Sequence, residues 1–277
     1  MKKIPITVIV PVRNEEKNLP QMLPLLTDFD EVIVVDSHST DRTPEIVNEF
    51  GFKLVEFEWD GHFPKKRNWT LRNVPIRNEW VFFVDADEFV TPEFINDLKR
   101  AFEDTKDYVG YWIHYTMYFM GSKLKHGGDV VKLALFKKSA GEYERIDADD
   151  DDKNWVYSGI ELHEQPILNG KIGTIKGLID HRENRGLEAY IRKHNEFSTW
   201  EAKRFLKRKK GDKLASFNQR VKYALLDSWF LCYIYFIRIY FFKLGFLDGK
   251  PGYVFANLKK QYFFTIKAKI DEFREKQ

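Results

Sequence analysis

The chain has 277 residues, 43% hydrophobic and 31% charged, a globular composition that excludes a wholly disordered chain and suffices for one large domain or a domain with an appendage. Its single cysteine, Cys232, excludes an intrachain disulfide, and the opening MKKIPITVIVPV lacks the apolar run and small-residue cleavage site of a signal peptide, so a reducing, cytoplasmic compartment is expected. The net charge of +3 is unevenly placed: residues 182–277 hold 22 of the 45 Lys and Arg but 10 of the 42 Asp and Glu, which points the basic end towards an anionic membrane surface or nucleic acid.

In chain order, ITVIVPV (Ile6–Val12) reads as a first buried strand. The polar turn RNEEKN leads into an apolar helical stretch around Leu19–Leu26, where Pro20 fits the first turn and Pro24 shortens or kinks the rest. EVIVVD (Glu31–Asp36) is a second strand that ends on an acid. SHSTDRTPEIVNEFG is a loop and short helix, capped by Asp41 or Thr43, with Pro44 early and Gly51 as the stop. Lys53–Trp59 is a third strand and Lys65–Val74 a helix.

WVFFVDADEFV follows. Val81–Val84 are too few apolar residues for a helix but suit a strand buried on both faces, and they run directly into Asp85, Asp87 and Glu88. Thr91 as N-cap and Pro92 at the first position start a helix at once, with Phe94, Ile95, Leu98, Ala101 and Phe102 on one face. The acids are therefore expected in a short strand-to-helix turn.

Strands alternating with helices at this spacing predict βαβ units and a parallel sheet, whose ligands bind beyond the carboxyl ends of the strands. Two strands end there in acids, at Asp36 and Asp85. Asp-x-Asp in such a turn can aim two hard oxygens at Mg2+ or Mn2+ shared with substrate phosphates; the alternative is a pair of acids that solvates a turn. No Gly-x-Gly-x-x-Gly follows the first strand and no P-loop occurs, so neither dinucleotide binding nor P-loop chemistry is supported.

Beyond Ala101, Tyr108–Gly121 and VVKLALFKK (Val130–Lys138) are rich in aromatic and β-branched residues and read as strands. DADDDDKNW (Asp147–Trp155) reads as a solvated loop. From Gly186 the chain is helical, with one amphipathic stretch over Leu187–Phe205 and a second over Phe217–Leu244. Asp227, Arg238 and Lys243 leave WFLCYIYFI as the longest clean run, short of the ~20 residues that span a bilayer, so an interfacial or core helix is expected. No recognition motif supports nucleic-acid binding.

Taken in series, VIVPVRNEEKNL, VIVVDSHSTDRT, the KKRNW of Lys65–Trp69 and VDADE resemble the family 2 glycosyltransferases of GT-A fold, closely over about the first 100 residues. LHE (Leu162–Glu164) and HRENRGLEAYIRKHNEFSTWEA (His181–Ala202) resemble the bacterial lipopolysaccharide-core β-1,4-glucosyltransferases within it. The resemblance implies an α/β fold, a Rossmann-like and mostly parallel sheet with helices on both faces, in a catalytic domain 1–181 followed by a helical region 182–277. It implies a nucleotide-sugar donor, UDP-sugar favoured, with Asp36 beside the base and Pro11, Arg13, Glu15, Arg67, Asp85 and Ala86 around base, ribose and pyrophosphate. Arginine suits this place because its fork binds phosphate bidentately, although Arg67 also reads as a solvated helix charge.

Further implications concern the metal and the base. Mg2+ or Mn2+ is expected on Asp87, with Asp85 reaching ribose or metal; Asp36 and Asp85 equally suit turn roles. His163 is a metal ligand or a group orienting acceptor phosphate, against the plainer reading of a hydrogen-bonded structural histidine, and His181 stands alike. Inverting transfer needs one carboxylate to take the acceptor's proton, and Glu164 holds that place, with Glu161 as the alternative. Relatives carry a basic residue near Ala134, which this chain lacks there. The implied acceptor is a glycan or lipid-linked molecule of the bacterial envelope, met at the inner face of the plasma membrane. Two other readings compete: a nucleotidyltransferase, which would want glycine in VPVRNEEKN, and a non-catalytic membrane-binding protein on the same fold, which fits poorly with acids at Asp36, Asp85, Asp87 and Glu164.

Overall fold

A computed structural model describes residues 3–60, 63–103, 105, 107–128, 130–144, 165–182, 186–207 and 217–276. They fall into two compact units, Met1–Tyr115 with Val130–Arg182 and Thr116–Asp129 with Glu183–Gln277. The segment Thr116–Asp129, which sequence placed with the catalytic domain, thus belongs with the C-terminal helices.

The first unit is built on strands β1 (Ile4–Val12), β2 (Phe29–Asp36), β3 (Lys53–Glu56) and β4 (Trp80–Phe83), all parallel. β1 sits between β2 and β4, with Val8 opposite both Val32 and Phe82. Being covered on both faces, β1 is apolar but for Thr7, and its alternation sorts the core into two layers. Val8, Val10 and Val12 pack with Leu19, Met22, Ile46, Val47, Phe94 and Leu98. Ile9 faces the other way, with Ile33, Val35, Leu71, Val81 and Phe83. The helices follow the proline and cap signals: α1 (Leu19–Met22) gives way to a 3-10 turn at Leu23–Leu26 where Pro24 interrupts it, and α2 (Thr43–Glu49) and α3 (Lys66–Asn73) connect the parallel strands.

After β4 the chain departs from the expected strand-to-helix turn. A three-residue strand, β5 (Glu88–Val90), intervenes before α4 (Pro92–Ala101), whose N-cap Thr91 accepts from the Phe94 N–H at 3.1 Å. The sheet continues through β6 (Tyr108–Phe119), β8 (Val130–Lys137) and β11 (Lys171–Arg182) in the order β3-β2-β1-β4-β8-β6-β11-β5; β7 (Ser122–Lys123) pairs with β6, and β9 (Gly141–Tyr143) pairs with β10 (Pro166–Leu168). β8 runs antiparallel to β4 and β6, so the sheet is parallel on one side and mixed on the other.

β11 is clasped to α4. Asp97 accepts from the N–H groups of Lys176 and Gly177 at 2.7 and 3.0 Å, and Thr91 donates to Leu178 O at 2.7 Å. Gly177 permits the approach: a Cβ there would lie 2.5 Å from Phe94 Cα. This clasp holds the register that sets His181 opposite Glu88.

In the second unit, α5 (Gly186–Lys207), α6 (Phe217–Leu225), α7 (Leu231–Ile237) and α8 (Gly249–Glu275) share a core of Ala202, Tyr223, Leu226, Leu231, Cys232, Phe263, Ile266 and Ile270. The single helix expected over Phe217–Leu244 is broken: α7 passes into a π-helical turn at Arg238–Phe242 and a 3-10 turn at Gly245–Asp248. Among the described residues no helix is long and apolar enough to cross a membrane.

Candidate active site

The carboxyl ends of β1, β2 and β4 meet on one edge of the first unit. At the end of β1, Pro11 is opposite Val35 and half-buried; β4 pairs with β1 only to Ile9, so the missing proline N–H leaves no ladder bond open. Arg13 is half-buried beyond it. The loops after β1 and β2 are laced together: Asn14, at φ 56°, donates its N–H to Ser39 Oγ at 2.8 Å and accepts from the Thr40 N–H at 2.8 Å, while Glu15 N–H donates to Thr43 Oγ1 at 2.8 Å. The Glu15 carboxylate accepts from Asn18 at 2.6 Å. Asp36 is buried and accepts from the Ser39 N–H at 3.0 Å and Ser39 Oγ at 2.5 Å, which is a turn-forming arrangement at the place expected beside a nucleotide base.

The acids after β4 are a charge cluster. Asp85 Oδ1 accepts from Arg67 Nη2 at 3.1 Å and Oδ2 from Lys132 Nζ at 3.0 Å. Lys132, in β8, also donates to Glu88, and lies 5.1 Å from the centre of the Tyr115 ring. Glu88 is 1% exposed and braces the turn by accepting from the Asp85 N–H at 3.0 Å. Arg67 stacks over Tyr143 at 5.2 Å; its neighbours in α3 anchor the helix, Lys66 to Val12 O at 3.1 Å and Asn68 to both backbone groups of Tyr143 at 2.9 Å.

The electrostatics follow from this crowding. Burial pushes the Asp85 carboxyl up, but Lys132 and Arg67 outweigh it and hold the group well below the usual carboxylate range. Burial raises Glu88, with Asp85 adding to the rise and Lys132 opposing it. Lys132 is driven down by burial and further up by Asp85 and Glu88, so it stays charged. Sequence reasoning found no basic residue near Ala134, yet Lys132 in β8 brings an ammonium to this cluster. Two positions earlier in the alternation of β8 is the same face of the strand, and that periodicity is the signal that could have found it.

Asp87 stands apart from the cation pair. Its Oδ2 lies 3.3 Å from His181 Nε2, both side chains largely buried, and its carbonyl accepts from the Arg182 N–H at 2.9 Å. Burial lowers the His181 pKa and the hydrogen bond and charge of Asp87 raise it, with a net rise. The donor set, one hard carboxylate oxygen and one imidazole nitrogen, fits a divalent ion: two ligands at about 2.1 Å from one ion lie about 3 Å apart when their bonds are near perpendicular. Among the described residues no three acidic, His or Cys side chains gather into a metal site, and Asp85 is hydrogen-bonded to its two cations. His163, Glu161, Glu164 and the Asp147–Trp155 run lie outside the described residues.

Residues 7–162, more than half of the chain, match the family model described as glycosyl transferase family 2. The chain belongs to that family. This glycosyltransferase is similar to an uncharacterized glycosyltransferase of Rickettsia typhi, at 26% identity over 92% of this chain and 84% of the relative. It is also similar to the lipopolysaccharide core biosynthesis glycosyltransferase LpsC of Rhizobium meliloti, at 24% identity over 97% of this chain and 92% of that one. A mannosyltransferase of Pyrobaculum calidifontis, solved with GDP-Man and Mn2+, has TM-score 0.55 and 20% identity over 99% of this chain and 88% of that structure. The likeness establishes the GT-A fold of the glycosyltransferase, with its sheet followed by a C-terminal helical region.

Proposed function

We propose that this glycosyltransferase moves a sugar from a nucleoside-diphosphate donor, UDP-sugar favoured, to a glycan or lipid-linked acceptor of the bacterial envelope, with inversion, at the inner face of the plasma membrane. The observation that carries the reading is the division of labour in the Asp-Ala-Asp turn: Asp85 accepts from Arg67 and Lys132, while Asp87 is paired with His181 as an oxygen-and-nitrogen donor set. The name of LpsC supports an envelope glycan as the product.

Arg67 and Lys132 present fixed positive charge where the donor's diphosphate would lie, and Asp85, held ionised between them, can accept from a ribose hydroxyl. Asp36 at the end of β2 can accept from an N–H of the base without giving up Ser39, since each carboxylate oxygen has two lone pairs. Asp87 and His181 would hold Mg2+ or Mn2+, which when bound neutralises charge on the leaving diphosphate. Glu164, on the sequence motif, takes the proton of the acceptor hydroxyl as its oxygen bonds to the anomeric carbon and the carbon–diphosphate bond breaks.

The deciding experiment is a nucleotide-release assay over UDP- and GDP-sugars with Mn2+ or Mg2+. Release that requires a metal and one donor class is expected; no release from any donor with either metal would overturn the reading.

A further inference from the structure

From Trp229 to Leu247 the second unit turns large apolar side chains outward. Leu231 and Cys232 of α7 face inward, in the core with Phe263, Ile266 and Ile270 of α8. Phe230, Tyr233, Ile234, Ile237 and Phe241 recur at helical spacing on the opposite side, with Phe230 72% and Phe241 54% exposed. The π-helical turn and the 3-10 turn extend that face with Phe242 at 81% and Leu247 at 57%. A helix whose inner face already forms a core has no packing reason for a second apolar face, and contiguous patches of this kind mark interaction sites.

Charge indicates the partner. No Asp or Glu occurs between Trp229 and Leu247, and the formal charges there are Arg238 and Lys243. The acids that bracket the segment are turned to internal work. Asp227 binds Arg274 at 2.8 Å and Lys267 at 3.1 Å, and Asp248 accepts from the N–H groups of Lys125, His126 and Gly127 at 2.9 to 3.1 Å. Exposed Arg238 and Lys250 stand at the rim, and the Lys260 ammonium lies 4.7 Å over the ring of Tyr233. Aromatic and aliphatic side chains carrying only cations within the segment match the headgroup layer of an anionic bilayer, and no described helix is long and apolar enough to cross one.

We propose that the face made by Phe230, Tyr233, Ile237, Phe241, Phe242 and Leu247 is a monotopic membrane seat: it inserts side chains among the headgroups of an anionic bilayer while Arg238, Lys250 and Lys260 meet the lipid phosphates. This deepens the membrane half of the proposed function and is independent of its transfer chemistry.

The test is co-sedimentation of the full chain with vesicles of phosphatidylcholine and phosphatidylglycerol, and with phosphatidylcholine alone, at low and high salt. Binding to the anionic vesicles is expected to weaken with salt without vanishing, because screening removes only the electrostatic part. The exposed triple substitution Phe230→Ser, Phe241→Ser, Phe242→Ser is expected to weaken binding roughly tenfold or more at unchanged thermal stability. Should that variant melt early, Arg238→Glu with Lys250→Glu replaces it and is expected to weaken low-salt binding. Absence of binding at low salt, or equal binding by the variants, would overturn the proposal. So would a dimer in analytical ultracentrifugation that the serine variant abolishes, which would give the face to a second copy. A wild type that binds vesicles yet releases nucleotide from no donor supports the seat and sinks the donor assignment instead.

Discussion

Each unit sets a half-buried lysine in a side-chain cluster, and the two lysines are treated oppositely. Lys132 in the first unit faces two carboxylates, Asp85 and Glu88, and its charge is held more firmly than in water. Lys259 in the second unit faces Lys193 and Lys222 across a box of Tyr190, Phe255 and Tyr262; burial first, then those two cations, push its pKa down to about 8. A balanced buried cluster keeps full charges fixed in place, which suits a site that must meet a diphosphate without reorganising. An unbalanced one holds its proton less firmly.

If the first cluster is chemical, the Asp-Ala-Asp turn is where activity breaks most completely. Asp87→Asn is expected to abolish sugar transfer at saturating donor and metal while leaving the melting temperature within a few degrees, because the one hard anionic donor of the pair is lost and the turn keeps its backbone bonds. Unchanged turnover with Mn2+ or Mg2+ would remove Asp87 from the metal. Glu164→Gln comes next, with turnover lowered by at least the ~100-fold typical of a lost general base and donor affinity nearly unchanged. If Glu161→Gln is the crippled variant, the two glutamates exchange roles.

The same contrast explains which parts were legible in the sequence. β1, β2 and β4 are runs of apolar residues that stop at a polar turn or an acid, and Thr91-Pro92 announces α4, so local pattern sufficed for the parallel half of the sheet. β5 was not legible: three residues carry no period, and they form a strand only because β11, some ninety residues later, pairs with them. Lys132 looked like any lysine in VVKLALFKK, and its role depends on the register that places it opposite Ile113 and beside the end of β4. Glu88 was seen as a third acid with no task, since bracing the Asp85 N–H needs the turn's geometry. In the second unit Asp227 and Ser228 mark the first break, where the Ser228 hydroxyl accepts from the Phe230 N–H at 3.2 Å, whereas the turn at Arg238 had no local signal.

A smaller effect sharpens the comparison by unbalancing the first cluster. Lys132→Met leaves Glu88 buried without its cation and is expected to cost about 2 kcal/mol, the scale of a lost hydrogen bond to a charged group. Adding Glu88→Gln should recover part of that loss, a coupling that a double-mutant cycle measures. A loss in the double variant equal to the sum of the two single losses would mean that the pair contributes nothing. Because Lys132 also holds Asp85, turnover should fall in both variants even where stability returns.

The smallest effect comes from the second cluster, and its sign is the informative part. A lysine ordinarily titrates near 10.4, and the fold lowers Lys259 to about 8. Below that value both folded and unfolded chains hold the proton, and the native state bears the whole cost of a cation among Lys193 and Lys222. Between about 8 and about 10.4 the unfolded chain binds more protons than the native one, so this group's contribution to stability rises with pH. Lys259→Met removes the cost at every pH while keeping the apolar stem in its aromatic box. It also removes the ammonium 3.3 Å from His194 Nε2, whose Nδ1 lies 2.9 Å from Tyr190 O, so the net gain is small. The expected result is a melting temperature a few degrees higher than wild type at pH 7, with the difference closing towards pH 10. Melts by circular dichroism across that range test it, and a variant less stable than wild type at pH 7 would show that Lys259 stabilises its surroundings as a cation, as Lys132 does.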